Sequence, residues 1–122
     1  MSFFSRLFGH SETKTMTPSA FVAQRDSEAP VLDVRTPQEF AQGHLAGATN
    51  ADVTGRSFQS DVEALNLSQD APVYLYCRSG NRSGKATSIL RKMGYSKAVN
   101  VGGFDALRRA GAQTVPPTKS RP

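Results

Sequence analysis

Cys77 is the only cysteine in the chain, and it opens the run Cys77-Arg-Ser-Gly-Asn-Arg-Ser83. Apart from Asn81, the residues behind the thiol are small or basic. A thiol attacks as the thiolate. At an ordinary pKa near 8.5 about 3% is ionised at pH 7, and a fall to roughly 6.5 raises this to about 75%. Gly80 permits positive φ and Asn81 tolerates it, so successive N–H groups can turn inward as an anion-binding nest backed by a helix start. Arg78 and Arg82 add positive charge. Cys77 is thus the candidate nucleophile, with Arg78, Ser79, Gly80, Asn81, Arg82 and Ser83 as the candidate substrate-binding loop. The reading requires a thiol that is ionised near neutrality and reachable from solvent. The plain alternative is a small buried hydrophobe, but such cysteines tend to lie inside apolar runs, and this one ends a run and begins a loop.

The elements around the loop alternate between strand and helix. Thr17-Pro18 reads as an N-cap followed by Pro at the first helical position, opening a helix to about Arg25. Val31-Leu-Asp-Val34 suits a buried strand. Thr36-Pro-Gln-Glu39 is a capping box whose helix should stop at Gly43. A weak strand is expected near residues 48–51, a helix from Ser57 to about Leu65, and a second buried strand over Val73-Tyr-Leu-Tyr76. Ala86, Ile89, Leu90 and Met93 recur at amphipathic-helix spacing, from near Ser83 to Gly94. Ala98-Val-Asn-Val101 is a third strand, Gly102-Gly103 a turn allowing close backbone approach to the loop, and residues 104–109 a last helix. This alternation implies an α/β fold with crossover units, a mostly parallel sheet of five strands and helices on both faces. Ligands in such sheets lie beyond the carboxyl ends of the strands, where Cys77 falls.

Composition narrows the function classes. With 122 residues, 38% of them hydrophobic, the chain suits one domain with a modest core. We divide it into a flexible or short amphipathic segment over residues 1–15, a domain over 16–112, and a disordered tail over 113–122. Phe3, Phe4, Leu7 and Phe8 could share a face of a short stub, but no apolar run approaches the roughly 20 residues of a membrane span, and the start lacks the pattern of a secretory leader. A lone thiol fits the cytoplasm. The net charge of +5 is uneven: residues 71–104 hold six bases and no acid. The bases are not interleaved with a series of aromatic stacking platforms, so nucleic acid is not an expected partner. One cysteine and two distant histidines, His10 and His44, provide no metal-binding pattern, and no cofactor is expected.

The loop resembles the active-site loop of single-domain rhodaneses, the thiosulfate sulfurtransferases. Leu32-Asp-Val-Arg-Thr-Pro-Gln-Glu-Phe40 followed by Gly43-His-Leu-Ala-Gly-Ala48 is similar to the family's amino-terminal signature, and Lys92-Met-Gly-Tyr95 and Val99-Asn-Val-Gly-Gly-Phe104 to its carboxyl-terminal pattern. The likeness covers about residues 16–111. Ala46 stands where the family often has Pro, and Phe104 and Leu107 where Trp is common, changes that bear on packing and the pocket rim. The resemblance implies a rhodanese-like fold and a two-step reaction. The Cys77 thiolate takes the outer sulfur of an anionic donor such as thiosulfate, forming a persulfide. Cyanide or a thiol, which could belong to a protein, then removes that sulfur. Arg78 and Arg82 would attract the donor, and main-chain groups from Ser79 to Ser83 would hold the persulfide.

Two other classes use the same loop. A sulfur carrier without turnover would need the same cysteine. A cysteine phosphatase or arsenate reductase would need Cys-x5-Arg to grip a tetrahedral oxyanion, whereas here Arg82 follows only four intervening residues and no second, resolving cysteine exists. Asp33 and Arg35, at a strand end, are candidates for the mouth of the site, with a bracketing ion pair as the plainer role. His44 reads as a residue binding helix-end carbonyls, and Tyr74 and Tyr76 as packing on one side of their strand.

Overall fold

The computed structural model describes residues 14–117. Thr17 caps α1 (Pro18–Gln24), its side chain accepting from the Ala20 N–H at 3.1 Å. The strand β1 (Val31–Asp33) leads into α2 (Pro37–Ala41), where the expected capping box between Thr36 and Glu39 is present. Then follow β2 (His44–Leu45), β3 (Thr49–Asn50), α3 (Phe58–Ala64) and β4 (Val73–Cys77). The chain continues through α4 (Asn81–Lys92), β5 (Ala98–Gly103), α5 (Phe104–Arg109) and β6 (Thr114–Val115).

The main sheet is parallel, in the order β3-β1-β4-β5. Among the described residues it has four strands where five were expected. Beside β5 runs only a short stretch at Thr15, which bridges Asn100 in parallel. Two short strands were not anticipated: β2 and β6 pair antiparallel in a separate sheet. Two residues carry too little periodicity to announce a strand. Thr114 and Val115, within the expected tail, form β6; residues 118–122, and most of the expected amino-terminal segment, lie outside the described residues.

Helices cover both faces, and the two-residue period of β4 sorts its side chains between two cores. Val73, Leu75 and Cys77 point toward Phe58, Val62, Ala86 and Leu90 of α3 and α4. Tyr74 and Tyr76 point toward Phe21 and Leu107 of α1 and α5. Leu107 is fully buried there. Between β4 and β5 the register shifts, so that Leu75 faces Asn100 but Cys77 faces Gly103. Such an irregularity kinks a strand and re-aims its end. Here it brings Gly102-Gly103 against the loop after Cys77.

Candidate active site

The loop from Arg78 to Gly80 joins the carboxyl end of β4 to the start of α4. Gly80 is the helix N-cap with φ +101°, the left-handed region that glycine enters at little cost. That turn folds the chain back over the sulfur. Cys77 Sγ accepts from the Gly80 N–H at 3.0 Å and from the Ser83 N–H at 3.3 Å. The Ser83 amide lies in the first turn of α4, where N–H groups have no partner within the helix. Ser83 Oγ sits 3.3 Å from Sγ and 2.7 Å from Asn100 Oδ1. Its single proton serves one of these acceptors at a time.

Burial pushes the Cys77 thiol up, but hydrogen bonds from the Ser83 side chain and the Ser83, Ser79 and Gly80 amides outweigh it, and the pKa lies below the usual thiol value. The arginines expected to drive this shift are not among its leading causes. Arg78 is exposed. Arg82 turns away to Glu39 of α2, gripping it with Nη1–Oε1 at 2.8 Å and Nη2–Oε2 at 3.0 Å. Arg82 holds the Glu39 carboxyl down at about 2. The pair also offsets an unfavourable cation in the first turn of α4.

One requirement of the sequence reading is not met in this conformation: Cys77 has 0% exposed surface. The loop is pressed onto Gly103 so closely that a Cβ there would meet the Arg78 carbonyl oxygen and stand 3.0 Å from Ser79 Cα. The thiol is nonetheless unlike an inert core cysteine, because polar hydrogens converge on its sulfur.

The rhodanese-like domain family matches residues 17–110. The chain belongs to that family. Its rhodanese-like domain is 40% identical over 92 residues to YqhL of Bacillus subtilis (strain 168), covering 75% of this chain and 69% of that one. It is 36% identical over 99 residues to the thiosulfate sulfurtransferase GlpE of Pseudomonas entomophila (strain L48), covering 80% and 87%. Among solved structures it is similar to a rhodanese-like domain protein from Staphylococcus aureus, with a TM-score of 0.66, 26% identity, and coverage of 78% and 91%. A rhodanese-related protein from Thermoplasma volcanium, at 24% identity, has the same fold with a TM-score of 0.70 over 84% and 97%. The family match and the thiosulfate sulfurtransferase relative support a sulfurtransferase-like role.

The domain separates the remaining candidates. Asn81 is exposed at the start of α4, two residues before the expected helix start, and Ser79 is exposed on the loop. Asp33, with no exposed surface, does not reach the mouth; it lies beneath it. It accepts from Arg35 Nε at 2.9 Å and Nη2 at 2.6 Å, and from the Tyr76 hydroxyl at 2.7 Å. Arg35 Nη2 also donates to the Gly43 carbonyl at 2.7 Å, and the Tyr76 oxygen accepts from the Leu45 N–H at 2.9 Å. This is the bracketing ion pair, and it fastens the α2–β2 turn to β1 and β4. Arg35 still reaches the surface and lines, with Glu39, Gln42, Arg78, Phe104 and Asp105, a pocket of about 240 Å³ beside the loop. His44 donates from Nδ1 to the Phe40 carbonyl at 3.0 Å and stacks on the Phe40 ring, the capping role expected of it.

Two site residues escaped the sequence reading. Glu39 was legible only as a helix cap. Asn100 joins three parts of the site: its Oδ1 accepts from Ser83 Oγ and from the Gly102 N–H at 3.0 Å, and its Nδ2 donates to the Gly80 carbonyl at 3.1 Å. A polar residue inside the apolar run Ala98-Val-Asn-Val101 was the signal for it. Among the described residues no group of side chains could hold a metal ion, and no helix is long and apolar enough to cross a membrane.

Proposed function

We propose that the domain is a sulfurtransferase that moves a sulfane sulfur from an anionic donor of the thiosulfate type to a thiophilic acceptor, cyanide or a thiol, through a persulfide on Cys77. The observation that carries this reading is the pair of amides aimed at Sγ, from Gly80 and Ser83, with the Ser83 hydroxyl 3.3 Å away. They favour an anionic sulfur over a neutral thiol, and fixed dipoles of this kind stabilise charge without reorganising during reaction. The thiolate attacks the outer sulfur of thiosulfate, an S–S bond forms as the S–S bond of the donor breaks, and sulfite leaves with the electron pair. The acceptor then takes the terminal sulfur and returns the thiolate. No proton need be moved if the thiolate already exists, which suits a loop with no histidine beside it. Because the sulfur is covered, the donor must arrive when the loop from Arg78 to Gly80 opens.

The same cover is the observation that favours a second reading, a sulfur carrier that loads once and does not turn over. A phosphatase role finds less support: Arg82, the cation that would have to grip an oxyanion, is engaged by Glu39. Mass spectrometry after incubation with thiosulfate distinguishes the readings. One sulfur atom added at Cys77, removed by cyanide over many cycles, is the expected result. One equivalent of sulfite and no further release for any acceptor indicates the carrier. An unmodified Cys77, or transfer that persists in Cys77→Ser, refutes both.

A further inference from the structure

The pocket beside the loop has its charges matched in pairs, with one exception. Arg35 is joined to Asp33 at 2.6 Å, Glu39 to Arg82 at 2.8 Å and Asp105 to Arg108 at 3.2 Å. Arg78 is the ionisable pocket residue for which no ion pair forms with a described acid. Phe104, half-buried, gives the pocket an apolar wall; the Arg35 guanidinium lies 4.7 Å from its ring centre. Glu39 occupies both terminal nitrogens of Arg82. Among the described residues the site therefore offers one free cation and an apolar surface, where a dianion of thiosulfate type would be best served by two cations.

We infer that Glu39 is a specificity-determining residue that masks Arg82 and tunes the pocket to monoanionic organic sulfane donors, the thiosulfonates and persulfides, over inorganic dianions. This rests on the sulfur-transfer reading above and narrows its donor. With a thiosulfonate the Cys77 thiolate forms a bond to the terminal sulfur, the S–S bond of the donor breaks, and the organic sulfinate departs with the electron pair. Charge balances at two negatives on each side, and no oxidant is consumed. Arg78 meets the single charge, Phe104 the organic group.

The test uses Glu39→Gln. Gln still serves at the third position of a capping box, so α2 keeps its start while Arg82 loses its carboxylate. Persulfide formation on Cys77 and kcat/KM are measured for benzenethiosulfonate and for thiosulfate. The wild-type protein should favour benzenethiosulfonate. Glu39→Gln should shift the ratio toward thiosulfate by about tenfold, mainly through KM, the size expected for one newly unpaired cation near a dianion at a partly exposed site. Adding Arg82→Gln to Glu39→Gln should abolish the shift. A wild-type preference for thiosulfate, or an unshifted ratio in a folded Glu39→Gln protein, overturns the inference and leaves sulfur transfer standing. No adduct from either donor overturns the transfer reading and this inference with it.

Discussion

The contact between Gly103 and the loop allows the sulfur cradle to be displaced without touching any group that bonds the sulfur. Gly103 has φ −107° and ψ 153°, an extended backbone open to alanine. The effect of Gly103→Ala is therefore steric. The new Cβ would meet the Arg78 carbonyl oxygen, and it would lie 3.1 Å from the Arg78 carbonyl carbon and 3.0 Å from Ser79 Cα. Restoring an ordinary C···O separation of about 3.3 Å moves the loop by nearly 1 Å. Overpacking of this kind costs about 1–3 kcal/mol. The same displacement draws the Gly80 amide out from its 3.0 Å contact with Sγ, and a misplacement of about 1 Å can lower a rate by about 100-fold. Three readouts test this: urea denaturation for stability, ultraviolet titration of the thiolate, and the rate of persulfide formation. Gly103→Ala should be modestly less stable, titrate closer to a free thiol, and load sulfur about 100-fold more slowly. A folded Gly103→Ala protein with the wild-type thiol pKa and loading rate refutes the claim that backbone placement in this loop governs the sulfur.

Loading should accelerate with pH through the Cys77 pKa, which hydrogen bonding holds below the usual thiol value against the opposing effect of burial. By linkage that lowered pKa adds stability above the ordinary thiol range and loses it as pH falls through the folded-state value, which denaturation at a series of pH values would record. Asn100→Ala removes three hydrogen bonds from a half-buried position; at about 1 kcal/mol each, partly replaced by water, the loss should be about 1–3 kcal/mol, read by urea midpoint. Arg35→Met leaves the Asp33 carboxylate buried without its cation and should cost about 3–5 kcal/mol, with unchanged stability as the refuting result. The Glu39–Arg82 pair contributes above about pH 4.5 and is lost as pH falls toward the Glu39 value of about 2. Being partly exposed, it should be worth about 1 kcal/mol or less in a double-mutant cycle.

What the sequence made legible was local. Thr17-Pro18 and Thr36-Pro-Gln-Glu39 announce helix starts through chemistry confined to four residues, and both caps are formed. Val31–Val34 and Val73–Tyr76 announce buried strands because both faces of a parallel sheet are covered. The relations that complete the site run across the sheet instead. Glu39 and Arg82 stand 43 residues apart, and nothing in either neighbourhood marks them as partners; β1 and β4 have to be adjacent for α2 to meet α4. Arg82 was accordingly expected to face the donor, while the fold places a carboxylate against it. The covering of Cys77 was equally beyond reach, because it arises where Gly103 and the loop meet through a register shift between two strands.

As the proposed nucleophile, Cys77 has no exposed surface and reacts only from molecules whose cover has lifted. Covalent labelling of Cys77 by a bulky alkylating agent should thus approach a ceiling as the reagent is made more concentrated, when every opening is trapped before it recloses. The height of that ceiling is the opening frequency of the Arg78–Gly80 segment, and under the proposed transfer it bounds sulfur delivery however abundant the donor becomes.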